Sequence, residues 1–314
     1  MLDTASMLVE AGRLLFHAQE LSKDGELACG TCHIPAQHFQ DGYQTGLARF
    51  RKLIRNTPTL LNVNRYRSFF WDGRATTLHD QITEPLIKSQ VEMMSNDSIM
   101  ASYVRSVGLL DSTARRLGYA EQDAREFVIG ALERYLLSIA TERTRYHDHL
   151  AGTAKLTAAE LRGLRLFNGK AQCGTCHPAP DFTDNLYQDN ALSRQRSIVE
   201  SYREQGVVKT RLGMDYGRGN IVAGKRDLFR FRTPSLYNVE LTAPYMHNGS
   251  LATLEAVIDF YDRGGDEPLA GAKPLDLTKA EKRDLIAFLK TLTDIRYATP
   301  EKGSTEVRVQ NSKF

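Results

Sequence analysis

The chain has 314 residues, 41% hydrophobic and 25% charged, with a formal net charge of +3. That length suits two domains of about 150 residues, each with its own core, and so small a charge makes no case for nucleic acid as a partner. No run approaches the roughly 18 consecutive apolar residues of a membrane span, and the opening MLDTASMLVEAGRLLF lacks the basic region and long apolar stretch of a signal peptide.

Residues 5–20 predict an amphipathic helix with Leu8, Leu14, Leu15 and Phe16 as its apolar positions. A polar loop leads to the string Cys29-Gly30-Thr31-Cys32-His33. The stretch 51–70, rich in Arg, Asn and Pro, reads as irregular structure around a buried polar object, and a helix is expected over 76–86. Residues 122–141 carry the clearest helical period, through Phe127, Val128, Ala131, Leu132, Tyr135, Leu136 and Ile139. A second half begins near Ala151, where Thr157 with Glu160 forms a capping box that opens a helix running to Phe167. Cys173-Gly174-Thr175-Cys176-His177 follows, and then 181–230, rich in Gly and Asp and without period, which reads as loops. Thr278 with Glu281 repeats the capping box before a helix through Leu285–Leu292. Strand signals are few, so the expected class is mainly α, with domains at 1–150 and 151–300 and a polar tail at 301–314.

Two cysteines three apart, followed at once by histidine, form the attachment site of a c-type haem. The thiols add across the two vinyl groups, and the adjacent imidazole binds the iron. A single such string would leave open a thioredoxin-like dithiol or half of a zinc site. Here all four cysteines fall in two identical strings and none is spare for a structural disulfide. Two covalently bound haems are therefore expected, and their propionates would bring the holoprotein to near neutral or negative charge. Covalent haem attachment normally happens outside the cytoplasm, so the expected compartment is the bacterial periplasm, with an export signal removed or lying outside this sequence.

The repetition extends further. Thr57-Pro58-Thr59-Leu60-Leu61-Asn62-Val63 matches Thr233-Pro234-Ser235-Leu236-Tyr237-Asn238-Val239 at an offset of 176, which also carries Gly73 onto Gly249, Thr77-Leu78 onto Thr253-Leu254 and Ile82 onto Ile258. The haem strings are offset by 144, so the second half holds 32 more residues between its haem string and this one. Each half reads as one haem-binding unit of the same design: two cytochrome-c-like domains related by internal duplication. The same offset sets Pro85 against Tyr261. If that position faces iron opposite the proximal His33 and His177, the first haem meets a proline, which has no ligating side chain. The second meets a phenol, and tyrosinate is an attested haem ligand. The residues alone also allow Tyr261 to be packing within VIDFYDRGG.

The strings RNTPTLLNV, FFWDGRATTL, EPLIKSQVEM, RTPSLYNVELTAPYMHNGS and VIDFYDRGG closely resemble the bacterial di-haem cytochrome c peroxidase superfamily, in its MauG-like, tyrosine-ligated branch. The resemblance runs from about Gly12 to Leu292. It implies that His33 is proximal at a peroxide-reactive haem and His177 at an electron-transfer haem, and that Tyr261 is the second ligand of the latter. It places Pro85 and Glu92 in the distal pocket of the reactive haem, with one more residue between them than in MauG-like members, and Trp71 between the haems. It also sets Asn56, Thr242 and Pro244 around a calcium ion between the domains. The activity implied is a periplasmic oxidoreductase in which hydrogen peroxide produces a high-valent di-haem state that oxidises residues, tryptophan above all, of a partner protein. The alternatives are peroxide detoxification with electrons from a small cytochrome or cupredoxin, and a di-haem electron carrier. Two departures stand out. Between 37 and 55 the only histidine is His38, too near His33 to be the loop histidine that caps the resting reactive haem in ordinary peroxidases. And Asn168-Gly169-Lys170-Ala171-Gln172 lacks the surface tryptophan that MauG-like members carry before the second haem string, so remote oxidation needs another final relay or the edge of the second haem.

Overall fold

The computed structural model describes residues 3–48, 51–194, 197–204, 207–266 and 274–298; the expected tail at 301–314 lies outside them. Helices dominate. In the first half, α1 (Thr4–Phe16) starts where the Asp3 carboxylate accepts the Ser6 N–H at 2.7 Å. A single turn, α2 (Cys29–Cys32), carries the first haem string, and β1 (Leu47–Ala48) pairs with β2 (Arg51–Lys52). Then come α3 (Leu78–Thr83), α4 (Asp97–Ser106), α5 (Gly108–Arg116) and α6 (Ala124–Ser138). Leu15, Phe16, Leu61, Met100, Leu110 and Phe127 form the centre of one buried cluster. At the crossing of α1 and α6 a Cβ on Gly12 would stand 2.0 Å from the Ala131 carbonyl oxygen, so the two backbones touch where no larger residue fits.

The second half repeats this crossing. It contains α7 (Arg145–Leu150), α8 (Ala158–Asn168), α9 (Leu254–Asp262), α10 (Lys279–Lys290) and α11 (Ile295–Ala298). Both expected capping boxes are formed, Thr157 with Glu160 and Thr278 with Glu281. A Cβ on Gly163 of α8 would lie 2.0 Å from the Asp284 carbonyl oxygen of α10. Phe167, Phe182, Tyr237 and Phe288 centre a second buried cluster, with ring pairs meeting edge-on.

The reading of 181–230 as loops is corrected. That stretch holds β3 (Tyr187–Asp189), β4 (Ser197–Glu204) and β5 (Val207–Gly213); β3 pairs antiparallel with β6 (Arg230–Arg232), and β4 with β5. Strands need backbone partners rather than a clean hydrophobic alternation, and composition alone does not reveal such pairing.

Backbone features recur at the 176-residue offset. Asn62 and Asn238 are left-handed, at φ 65° and 63°, and each opens a 3-10 turn. Phe70 and Met246, and Gly73 and Gly249, also share positive φ. Phe69 bridges Ala75 as Tyr245 bridges Leu251, and Thr77 and Thr253 cap α3 and α9. The two asparagines converge on Thr141: Asn62 Oδ1 accepts its N–H at 2.6 Å, and Asn238 Nδ2 donates to its Oγ1 at 2.7 Å. Asp294, fully buried, accepts the next two backbone N–H groups, those of Glu142 and Arg143.

Candidate haem sites and the bridge between them

Each haem string is held as a single turn, closed by its own histidine. In the first, the His33 N–H donates to the Cys29 carbonyl at 2.9 Å; in the second, His177 does the same to Cys173 at 2.9 Å. The rings are oriented alike. His33 Nδ1 lies 3.1 Å from the Phe39 carbonyl and His177 Nδ1 lies 3.0 Å from that of Phe182. A proton on Nδ1 satisfies both carbonyls and leaves Nε2 as the metal-binding atom. Aiming these carbonyls puts Phe39 and Phe182 at φ 60° and 51°, a region bulky residues rarely adopt. Burial lowers the pKa of both imidazoles, so they are neutral and able to ligate at pH 7. Burial also pushes the Cys29 thiol up to about 12 and those of Cys32 and Cys173 to about 11. None of the four cysteines is in a disulfide.

Opposite the strings the two halves differ. Tyr261 projects from α9, 46% exposed, yet burial raises its phenol pKa, with the Cys176 and Cys173 sulfurs the next causes. The contribution of those sulfurs puts the partly exposed phenol near the second haem string. In the first half the matched position is Pro85. Proline has no N–H for the helical ladder, and α3 gives way to a π turn over Glu84–Lys88, closed by the Ser89 N–H on the Glu84 carbonyl at 2.8 Å. Glu92 is fixed beside it through its neighbour: the Met93 N–H donates to the Pro85 carbonyl at 3.1 Å, and the Met93 carbonyl accepts from Lys23 at 2.8 Å. After burial and nearer charges, the Glu92 carboxylate adds to the raised pKa values of both Cys29 and Cys32, so it lies in the neighbourhood of that string.

Trp71 ties the halves together. Its indole Nε1–H donates to the Asn56 carbonyl at 2.9 Å, and its own carbonyl accepts the Arg232 N–H of β6 at 2.8 Å. Beside it Arg55 donates to Asp72 at 2.6 Å and in a fork to Asp215 at 2.7 and 2.8 Å. Asn56 donates from its backbone to the His247 carbonyl at 2.8 Å.

Residues 6–155 match the model of the di-haem cytochrome c peroxidase family. Cytochrome-c peroxidase IdrP1 of Pseudomonas sp. (strain SCT) is 32% identical over 305 residues, covering 91% of this chain and 80% of that protein. The chain belongs to the di-haem cytochrome c peroxidase family. Methylamine utilization protein MauG of Methylorubrum extorquens is 31% identical, over 90% of this chain and 77% of that one. A solved MauG-like protein associated with microbial copper homeostasis superposes with a TM-score of 0.80 at 29% identity, over 93% of this chain and 91% of that one.

A di-haem peroxidase needs two covalent haem sites, and the donor sets here fit them: two neutral thiols and an imidazole with Nε2 available, twice over. The residues expected around calcium are joined less directly. Asn56 Nδ2 donates to the Tyr43 carbonyl at 2.9 Å and Thr242 Oγ1 to that of Val239 at 3.3 Å, while Gln40 reaches the Ala243 carbonyl, next to Pro244, at 3.0 Å. Among the described residues no three His, Cys, Asp or Glu gather into a metal cluster, so a cation there would rest on neutral oxygens. No helix among them is long and apolar enough to cross a membrane.

Sequence reasoning passed over several residues of the bridge. Arg55 and Asp215 lie 160 positions apart, and only the fold joins them. His247 stacks on Phe231, ring centroids 3.5 Å apart, on the wall of a cavity of about 270 Å³ that Asp189, Arg194 and Asp215 also line.

Proposed function

We propose that this di-haem peroxidase uses hydrogen peroxide at its first haem to oxidise residues, tryptophan above all, of a partner protein in the bacterial periplasm. The observation that carries this reading is the contrast at one matched position, Pro85 in the first half and Tyr261 in the second. Cys29, Cys32 and His33 hold the reactive haem, and Cys173, Cys176, His177 and Tyr261 hold the other. Haem held at the first string would supply an iron able to react with peroxide. Pro85 offers no ligating side chain at the position matched to Tyr261. Glu92 moves a proton from the inner to the outer peroxide oxygen, the transfer that heterolysis of the O–O bond requires. Trp71, with its indole N–H fixed on Asn56, passes electrons between the halves. The units at 1–150 and 151–300 are read as products of one duplication, and Asn56, Thr242 and Pro244 as oxygen ligands of a calcium ion that fixes their junction.

Peroxide detoxification with electrons from a small cytochrome or cupredoxin is the second reading, favoured by the name of the Pseudomonas relative. A di-haem carrier fits less well, since electron transfer gains nothing from a proline-lined open face beside a carboxylate. Mixing the diferric protein with stoichiometric peroxide separates the first two. Both Soret bands should bleach together into a state that outlasts mixing, and Trp71→Phe should confine the change largely to the first haem. Rapid turnover with a reduced small cytochrome, without a persistent two-haem change, replaces the proposal with the detoxifying role.

A further inference from the structure

At the 176-residue offset the neutral amide of Asn56 in the first half is matched by the guanidinium of Arg232 in the second. Arg232 is 5% exposed, the only buried arginine or lysine among the described residues. A guanidinium keeps its charge inside a protein, so burying it is costly unless an anion balances it. The neighbouring arginines of the bridge have one: Arg55 is paired with Asp72 and Asp215, Arg65 with Asp181, and Arg74 with Asp72. Arg232 does not. Among the described residues its side chain meets only carbonyl oxygens and a ring. Nε donates to the Phe70 carbonyl at 3.3 Å and Nη1 to the Thr233 carbonyl at 3.5 Å, and the guanidinium lies 3.7 Å from the Tyr66 ring centroid. Both bonds are long, Nη2 has no acceptor there, and the Tyr66 hydroxyl is engaged elsewhere, accepting the Ser235 N–H at 3.1 Å.

The surroundings of Arg232 say which anion it awaits. The Thr233 carbonyl that Nη1 reaches also accepts the Thr183 hydroxyl at 2.7 Å, and Thr183 follows Phe182, whose carbonyl orients His177. Pro234, the next residue after Thr233, faces His177 too: burial lowers the pKa of that imidazole, and the carbonyls of Phe182 and Pro234 act against it. On the other side Arg232 reaches the first half, where Trp71 accepts its backbone N–H at 2.8 Å. The guanidinium therefore stands between the wall that holds His177 and the bridge at Trp71. We infer that Arg232 is a cofactor-binding residue, the counter-ion of a propionate carboxylate on the haem held at the second string. This rests on the haem assignment proposed above, which brings the carboxylates to the protein. A carboxylate presents two oxygens in the plane that a guanidinium fork can take, and a buried pair of this kind offsets the charge that the polypeptide leaves bare. The first half, with Asn56 at the matching place, offers its haem no such cation there. Arg232 thus binds one haem and not the other, and it holds that haem's edge to the side of the bridge where Trp71 is anchored.

Resonance Raman spectra and redox titrations of the holoprotein test this. In Arg232→Gln the propionate bending band of the second haem should move while that of the first stays. The reduction equilibrium of the second haem should shift about tenfold toward the ferric form, because a buried anion loses its balancing cation. Arg232→Lys keeps the charge and should recover most of that shift. An unmoved second-haem band, or movement of the first-haem band instead, overturns the pairing. A further arm uses the unaltered protein and so holds even where a variant does not fold. If a free anion, rather than a propionate, sat on Arg232, exchanging chloride for phosphate at constant ionic strength would change the second-haem band or potential. The inference predicts no change, and a change in either overturns it. Counting covalent haem as the pyridine haemochrome reports separately on the parent reading. Fewer than two haems per chain in the unaltered protein fails the haem assignment, whereas two haems with an unmoved band in Arg232→Gln fail the Arg232 pairing alone.

Discussion

The turn around Pro85 and the end of α9 around Tyr261 occupy matching places at the 176-residue offset. Both follow a threonine N-cap by eight residues, Thr77 Oγ1 accepting from Asp80 at 3.0 Å and Thr253 Oγ1 from Ala256 at 3.1 Å. In the second half the helix runs through the tyrosine to Asp262, and its phenol lies close enough to Cys176 and Cys173 to have its pKa raised by them as well as by burial. In the first, proline removes both the side-chain donor and the backbone N–H, so the helix loosens into a π turn. The carbonyl of that same proline then holds Met93 and, with it, Glu92. Under the proposed roles, the proline leaves this position without a ligating side chain, while its carbonyl holds the neighbour of Glu92. The difference teaches that one residue decides whether such a helix continues and offers a phenol or opens into a π turn without one.

Swapping the differing residue breaks this comparison most completely. Pro85→Tyr should restore the helical N–H and supply a second phenol, abolishing the peroxide reaction seen in stopped-flow Soret traces; full retention of that reaction would show that this position does not face the iron. Next in size is Glu92→Gln, which keeps the shape but removes the proton carrier. Its reaction with peroxide should fall by about 10²-fold or more, with the resting spectra of both haems unchanged. A loss of less than about threefold would assign the proton transfer to another group.

The junction between the halves gives a smaller effect. Burial alone would raise the Asp294 carboxyl, but Arg296 and the N–H groups of Glu142 and Arg143 hold it below its ordinary value of 3.8. A group depressed in the folded state contributes stability above its unfolded pKa and loses it as pH falls through the folded value. Asp294→Ala should therefore lower stability by about 2 kcal/mol at pH 7, as buried N–H groups lose their acceptor. The gap to the parent protein should stay constant down to about pH 5 and close below about 3.8. Denaturant titrations across pH read this directly. The smallest effect sharpens the likeness of the halves: Thr77→Ala and Thr253→Ala should each cost about 1 kcal/mol in the same titrations. A large inequality would mean that the two caps are not equivalent.

Much of this was legible in the residues. The haem strings are covalent requirements, the 176-residue offset needs only counting, and α1, α6, α8 and α10 carry caps or a helical period of buried side chains. Other parts were hidden for physical reasons. In α4 only Met100 and Val104 are buried, too few to write a period, although Asn96 caps it on Ile99 at 3.0 Å. The β4–β5 hairpin lies in a stretch whose composition reads as loop, because its register is set by backbone pairing. Trp71 could be singled out as the sole tryptophan, yet its anchors, Asn56 and Arg232, are joined to it only in the folded chain.

The central claim is that one scaffold holds an open iron and a closed one, and electron paramagnetic resonance of the resting diferric protein tests it most directly. The account predicts one high-spin signal, from the haem on His33 opposite Pro85, and one low-spin signal, from the haem held by His177 and Tyr261. Tyr261→Phe should turn the second signal high-spin and leave the first untouched. Two low-spin signals in the unaltered protein would contradict the account.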